Sequence, residues 1–287
     1  MDTSRRRVLQ LLGLSAAALS APPVFNALAA EAPAAKPKIG PGKEARTARQ
    51  WAMVIDTRKF ASTADVKPLV DACHSIHNVP HWEEKRWEIK WLWPTRYENA
   101  FAGTASARFG PEELESRPFL VLCNQCENPP CVRACPTKAT WKRADGIVMM
   151  DFHRCIGCRF CMAACPFGAR SFNYRDPRPG LKQTNKQFPT RMKGVVEKCS
   201  FCVERLAEGK LPACVEASEG KLAFGDLFDE KSNVRELIKT HYTIRRKVNL
   251  GTEPALLSEI KQHMRGHSGG EQHLCYRHQV DPGFFTG

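Results

Sequence analysis

The chain has 287 residues, 43% hydrophobic and 25% charged, enough for one or two domains with a real core. Its formal charge of +13 on its own would admit nucleic acid or an anionic membrane surface as a partner, but thirteen cysteines point elsewhere. Their odd number and tight spacing argue against a disulfide scaffold, and no Ser-His-Asp pattern, P-loop or dinucleotide glycine fingerprint offers a substrate-activating group.

In chain order, Ser4-Arg5-Arg6-Arg7-Val8-Leu9, an apolar stretch from Val8 to Leu19 and the small-residue site Ala27-Leu28-Ala29 read as a twin-arginine signal peptide over residues 1–29. The apolar stretch is shorter than the roughly 20 residues of a spanning helix. Residues 30–50, rich in Pro, Ala, Gly and Lys, predict a flexible tether. From Trp51 the pattern changes. Trp51 to Ile55 predicts a strand ending at Asp56, and Val66 to His77 a helix that presents Cys73. Trp87, Ile89 and Trp91 alternate as on a strand, and the rings of Trp82, Trp87, Trp91 and Trp93 read as core, with an interface or quinone-facing patch as the alternative.

Ala139 to Lys142 and Ile147 to Met150 predict a hairpin turning at Asp145-Gly146. Residues 178–193 read as a surface insertion. Phe201 to Ala207 predicts a helix with Gly209 past its end, and Val234 to Tyr242 another. Residues 251–287 read as a polar tail. Its His263, His267, His273, Cys275 and His278 lack the Cys-x2-Cys-His haem signature, and a solvated tail is the better reading. His74, His77 and His81 read as packing and hydrogen-bonding groups.

The chemistry lies in two runs: Cys123, Cys126, Cys131, Cys135-Pro136, then Cys155, Cys158, Cys161, Cys165-Pro166. An iron-sulfur cubane needs four converging thiolates. A tight loop supplies three, and a fourth cysteine before proline leaves the loop to serve the neighbouring cluster. Structural zinc is the competing reading, but its sites pair two Cys-x2-Cys knuckles across a longer gap. The order strand, cysteine loop, short helix, Cys-Pro, strand is that of a ferredoxin βαβ module.

A third group, Cys199, Cys202 and Cys214 within EKCSFCVERLAEGKLPACVEA, precedes FGDL. Together with DGIVMMDFHRCIGCRFCMAACPFGARSFN and the signal, it resembles the four-cluster ferredoxin subunits of molybdopterin oxidoreductases, and among them the iron-sulfur subunits of DsrMKJOP-type membrane complexes of dissimilatory sulfur metabolism. The resemblance covers about Trp51 to Arg245. In that family the inner two cysteine runs exchange fourth ligands, and so do the outer two. Here Phe60, Val66 and Leu69 stand where the first run would carry thiolates, and Ser218 where the last run would carry its fourth. One of the four sites has therefore lost all its cysteines together.

The resemblance thus implies three [4Fe-4S] clusters with twelve cysteines as iron ligands: Cys123, Cys126, Cys131 with Cys165; Cys155, Cys158, Cys161 with Cys135; and Cys199, Cys202, Cys214 with Cys73. It implies an α+β fold of tandem bacterial-ferredoxin-like βαβ modules with a pseudo-twofold arrangement and loop insertions. These fill a domain over residues 51–250, with an inner pair at 118–175 and an outer module at 51–95 plus 194–250. The expected role is electron transfer without a substrate site of its own, in the periplasm and membrane-associated through partners. Those partners would be a multi-spanning quinone-interacting subunit (DsrP-like), a multihaem cytochrome c (DsrJ-like) and other subunits of the complex, with no nucleic acid. The alternative is the electron-transfer subunit of a periplasmic molybdopterin oxidoreductase or hydrogenase. Three cubanes would bring the formal charge down to about +7. The remaining cations, Arg143, Arg154, Arg159, Arg245, Arg246 and Lys247, read first as company for an anionic cofactor and second as docking groups for an acidic partner or membrane headgroups.

Overall fold

The computed structural model describes residues 43–101 and 117–259. The signal at 1–29, the first part of the tether, and Cys275 with its neighbouring histidines lie outside the described residues. In chain order the elements begin with β1 (Trp51–Asp56), α1 (Thr63–Ile76), β2 (Leu92–Thr95), α2 (Tyr97–Ala100) and β3 (Phe119–Leu122). The cysteine-bearing middle follows: α3 (Pro130–Arg133), β4 (Thr140–Lys142), β5 (Val148–Met150), α4 (Phe160–Ala164), β6 (Ser171–Phe172) and β7 (Val196–Glu197). The last part holds α5 (Val203–Ala207), α6 (Ala213–Glu216), β8 (Leu222–Asp226), α7 (Asn233–Thr240), β9 (Thr243–Ile244) and β10 (Leu256–Glu259).

β1 is buried along its whole length. Because strand side chains alternate, Trp51, Met53 and Ile55 enter one core with Phe60, Leu69 and Cys73. Ala52 and Val54 enter a second with Leu227, Val234 and Leu257. Burial on both faces accounts for the unbroken apolar run. β1 stands inside a mixed sheet of order β8-β1-β10-β9, antiparallel to β8 and parallel to β10, with Met53 facing Phe224 on one side and Leu256 on the other. The second core is closed by α7 through Val234, Leu237 and Ile238.

Three two-stranded ribbons carry the rest. β2 pairs with β3, and Pro94 is tolerated because β2 is an edge. β4 and β5 form the predicted hairpin through Asp145-Gly146, with Thr140 facing Met150. β6 pairs with β7, bringing Ser171 opposite Glu197. α1 begins where the Asp65 carboxylate accepts the N–H groups of Ala61 and Ser62, both at 2.9 Å. It packs on α6 and β2.

Four expectations need correction. The strand across Trp87 to Trp91 is not formed: Lys85–Trp87 is a 3-10 turn and the strand starts at Leu92. Ile89 and Trp91 are buried, whereas Trp87 is half-buried under Arg175, whose guanidinium lies 3.3 Å from its ring centroid. The tail does not start at residue 251, since Ala255, Leu256 and Leu257 are buried beside β1. Polar neighbours hid this short strand, and its partner is remote in sequence. The tether ends early: Arg46 N–H donates to Leu206 O at 2.9 Å, and Asp226 accepts the N–H groups of Arg49 and Gln50. Finally, the helix predicted from Phe201 begins at Val203, because Phe201 and Cys202 take left-handed conformations.

Candidate metal centres

All twelve described cysteines are free thiols, which removes the disulfide reading for them. They gather in three places. Cys123 and Cys126 lie in the loop after β3, Cys131 lies in α3, and Cys165 caps α4. These four line one opening of about 320 Å³, together with Asn124, Val148, Phe167 and Arg170. Cys155, Cys158 and Cys161 come from the loop before α4 and its first turn. With Cys135, which leaves α3, they line a second opening of about 260 Å³ floored by Ala139, Met150 and Val196. Each opening thus takes its fourth cysteine from the other run.

The third gathering joins distant segments. Cys73 on α1, Cys199 and Cys202 after β7, and Cys214 on α6 are 4%, 7%, 4% and 5% exposed. Burial pushes the Cys73 thiol far up, and the charges of Cys199, Cys214 and Cys202 push it further. Burial likewise raises Cys202 well above its ordinary value and brings Cys214 to about 12. A thiol set held this way ionises only against a bound cation, which deprotonates its ligands outright.

One backbone device recurs in all three. The residue before the second cysteine of each run has positive φ: Gln125 at +44°, Gly157 at +70° and Phe201 at +55°. Side-chain-bearing residues enter this region at a cost. Repetition of the same turn makes the third loop the same kind of loop as the first two. At Gly157 a Cβ would sit 2.3 Å from Gly194 O, a backbone atom that cannot swing aside. Gly157→Ala is therefore expected to dismantle the second gathering, lowering bound iron by about four atoms per chain in an iron assay.

The donor set fits a multi-iron group better than a single ion. A tetrahedral zinc site with bonds of about 2.3 Å brings its sulfurs within about 3.8 Å of each other. Among the described residues, the grouping of three metal-ligating atoms within 4.8 Å of one another is His77, Cys202 and Glu204, not three cysteines. Polar atoms also wait at the first opening. Asn124 is 1% exposed with both side-chain polar atoms unpartnered among the described residues, and so is Arg170 Nη2. Burial pulls the Arg170 guanidinium down, yet the charges of Cys131, Cys161 and Cys123 hold it above its ordinary value. Arg246 is a second cation there: burial lowers it to about 10, against the charge of Cys165.

The gatherings form a row. Cys199 feels the charge of Cys123, and Gln125 Nε2 donates to Cys199 O at 3.0 Å. Cys161 feels the charge of Cys131 across Arg170. Third, first and second thus follow one another. Backbone N–H groups donate to sulfur at Cys155 (Val196, 3.5 Å), Cys199 (Phe201, 3.4 Å) and Cys202 (Ala213, 3.4 Å). Such bonds favour the charged sulfur and tune the potential of a bound centre.

Beside the third gathering, His77 Nδ1 donates to Cys73 O at 2.7 Å, its Nε2 is 2.8 Å from Glu204, and its ring stacks on Trp91. His74 is lowered to about 4 by burial. The positions that the resemblance assigns to a fourth set are closed. Phe60, Val66 and Leu69 are at most 1% exposed in the main core, and Ser218 Oγ donates to Val215 O at 2.7 Å while accepting Leu222 N–H at 3.1 Å. Ser218→Cys is therefore expected to add no iron and to cost about 1 kcal/mol of stability, read by iron assay and thermal unfolding.

Sequence reasoning missed Arg170, Asn124, Gln125 and Lys198, whose Nζ donates to Cys199 O at 2.8 Å. Only Arg170 left a trace, as a cation four residues after Cys-Pro in an otherwise apolar stretch.

A mixed fold with four-cysteine loops of this kind defines a ferredoxin-type iron-sulfur protein, and residues 117–178 match the 4Fe-4S dicluster domain family. Over 276 residues the chain is 40% identical to Hdr-like menaquinol oxidoreductase iron-sulfur subunit 1 of Archaeoglobus fulgidus, covering 88% of this chain and 96% of the relative. It is 32% identical over 247 residues to a tetrathionate reductase subunit of Salmonella typhimurium, covering 84% and 81% of the two chains. It is 33% identical over 228 residues to the menaquinone reductase iron-sulfur cluster-binding subunit of Nitratidesulfovibrio vulgaris, covering 71% and 86%. The chain belongs to this family of iron-sulfur electron-transfer subunits of oxidoreductase complexes. Among the described residues, no helix is long and apolar enough to cross a membrane.

Proposed function

We propose that the protein is the electron-relay subunit of a membrane-associated, quinone-linked complex of DsrMKJOP type, a DsrO-like subunit holding three [4Fe-4S] clusters. The observation that carries this reading is the gathering of twelve cysteines into three adjacent sets of four. Each cluster, when bound, supplies one-electron redox chemistry. The chain's own residues bind it through thiolates, screen it with Arg170 and Arg246, and exclude water most fully at the third set, whose four cysteines are all buried.

Two tandem ferredoxin-like modules, the inner at 118–175 and the outer at 51–95 plus 194–250, account for the exchange of fourth ligands within each pair. The twin-arginine signal supports export of a folded, loaded protein to the periplasm. A multi-spanning quinone-interacting subunit and a multihaem cytochrome c are the partners on this reading. Similarity to the tetrathionate reductase subunit supports a second reading, the relay subunit of a molybdopterin reductase. Copurification from native membranes separates the two. A c-type haem protein and a multi-spanning subunit are expected, whereas a stoichiometric molybdopterin protein would overturn the first reading in favour of the second.

A further inference from the structure

We propose that the loop from His153 to Ala163 is the docking face for a redox protein that presents carboxylates around an apolar centre. The inference rests on the relay reading and assigns one end of it. Cys158 is exposed, while the other eleven described cysteines are buried or half-buried. Beside it stand Ile156 at 67% and Phe160 at 61% exposure, two large apolar side chains turned to solvent at a candidate metal ligand. Exposed apolar groups beside a functional atom mark contact surface.

The rim is cationic. From Phe152 to Arg175 the chain carries no Asp or Glu; Arg170 is buried and Arg175 lies on the Trp87 ring, which leaves Arg154 and Arg159 as the charges of the rim. Arg154 and Arg159 are exposed on either side of the exposed thiol. Asp151, just before the loop, is occupied: it accepts the N–H groups of His153 and Arg154 and pairs with the Arg154 side chain at 3.4 Å. Arg159 is held by donating to Tyr174 Oη at 3.2 Å, over the rings of Phe172 and Tyr174. Complementary charge steers a partner and fixes its orientation. The second set is also the end of the row, so an electron crossing there meets no further cysteine set. Anionic headgroups would offer the same charge, but a lipid face over Cys158 would seal the outermost thiol from a one-electron partner.

A cluster held by Cys135, Cys155, Cys158 and Cys161 would, when reduced, give one electron to the partner's oxidised centre. No atom or proton is transferred. The test takes full-length loaded protein, reduced and mixed in stopped flow with the anionic oxidant Co(EDTA)⁻ or the cationic oxidant hexaamminecobalt(III). Each cobalt(III) takes one electron to become cobalt(II). Arg154→Glu/Arg159→Glu is compared with Lys231→Glu/Lys239→Glu, an equal charge change on exposed positions around α7. At low ionic strength the arginine pair is expected to slow the anionic oxidant about five- to tenfold and speed the cationic one, with salt erasing both effects and the lysine pair matching wild type. Equal behaviour of the two double variants would overturn the docking face. So would arginine-dependent cosedimentation with phosphatidylglycerol vesicles without any change in rate, which would assign the loop to a membrane. Iron content equal to wild type in both variants keeps this outcome separate from the relay reading, which fails instead if unmodified protein carries no clusters.

Discussion

Cys73→Ala is expected to lower bound iron by about four atoms per chain and to leave the other two centres spectroscopically intact. Cys73 reaches Cys199, Cys202 and Cys214 only because α1 packs on α6, so the loss should be confined to one centre. Nothing nearby substitutes for its sulfur. His77 Nδ1 is 3.7 Å from Cys73 Sγ but is engaged by the Cys73 carbonyl, and Glu204 is turned to His77 Nε2. The first and second sets draw no residue from α1, and their EPR signals serve as the internal control. An unchanged iron count would break the pairing of Cys73 with the third set.

Arg191→Met is expected to destabilise the protein by about 3–5 kcal/mol, because it strands the Glu197 carboxylate in the core. Both side chains are fully buried, with Arg191 Nη2 2.6 Å from Glu197 Oε2. Glu197 also accepts the Trp91 indole N–H at 2.8 Å, and Arg191 donates to the carbonyls of His77 and Asn78. One ion pair therefore ties the insertion at 178–193, the tryptophan segment and the end of α1 together, next to the third set. The double change Arg191→Met/Glu197→Gln should cost less than the single one, since it removes the stranded charge. Loss of visible cluster absorbance during a denaturant titration reports both effects, and a single variant as stable as wild type would contradict them.

How much of this was legible in the sequence depends on how local the information is. The first two sets are written in Cys-x2-Cys spacing and Cys-Pro, and the hairpin that separates them in Asp145-Gly146. The third set was reached only through family resemblance, because nothing between Cys73 and Cys199 in the chain records that α1 will lie on α6. β10 escaped for the same reason, as its partner β1 is two hundred residues away. Trp87 misled by alternating with Ile89 and Trp91, although a 3-10 turn and a cation over its ring hold it at the surface. Arg170 could not be placed between two sets until both were folded. The left-handed turns at Gln125 and Phe201 are likewise invisible, since neither residue favours that conformation and only Gly157 announces it.

Twelve cysteines making three whole sites, with the fourth closed by Phe60, Val66, Leu69 and Ser218, fix the cluster stoichiometry of the loaded protein. Iron and acid-labile sulfide, counted per chain in anaerobically purified full-length protein, test it most directly. Three cubanes predict about twelve of each, and about eight would show that the site of Cys73, Cys199, Cys202 and Cys214 holds no cluster.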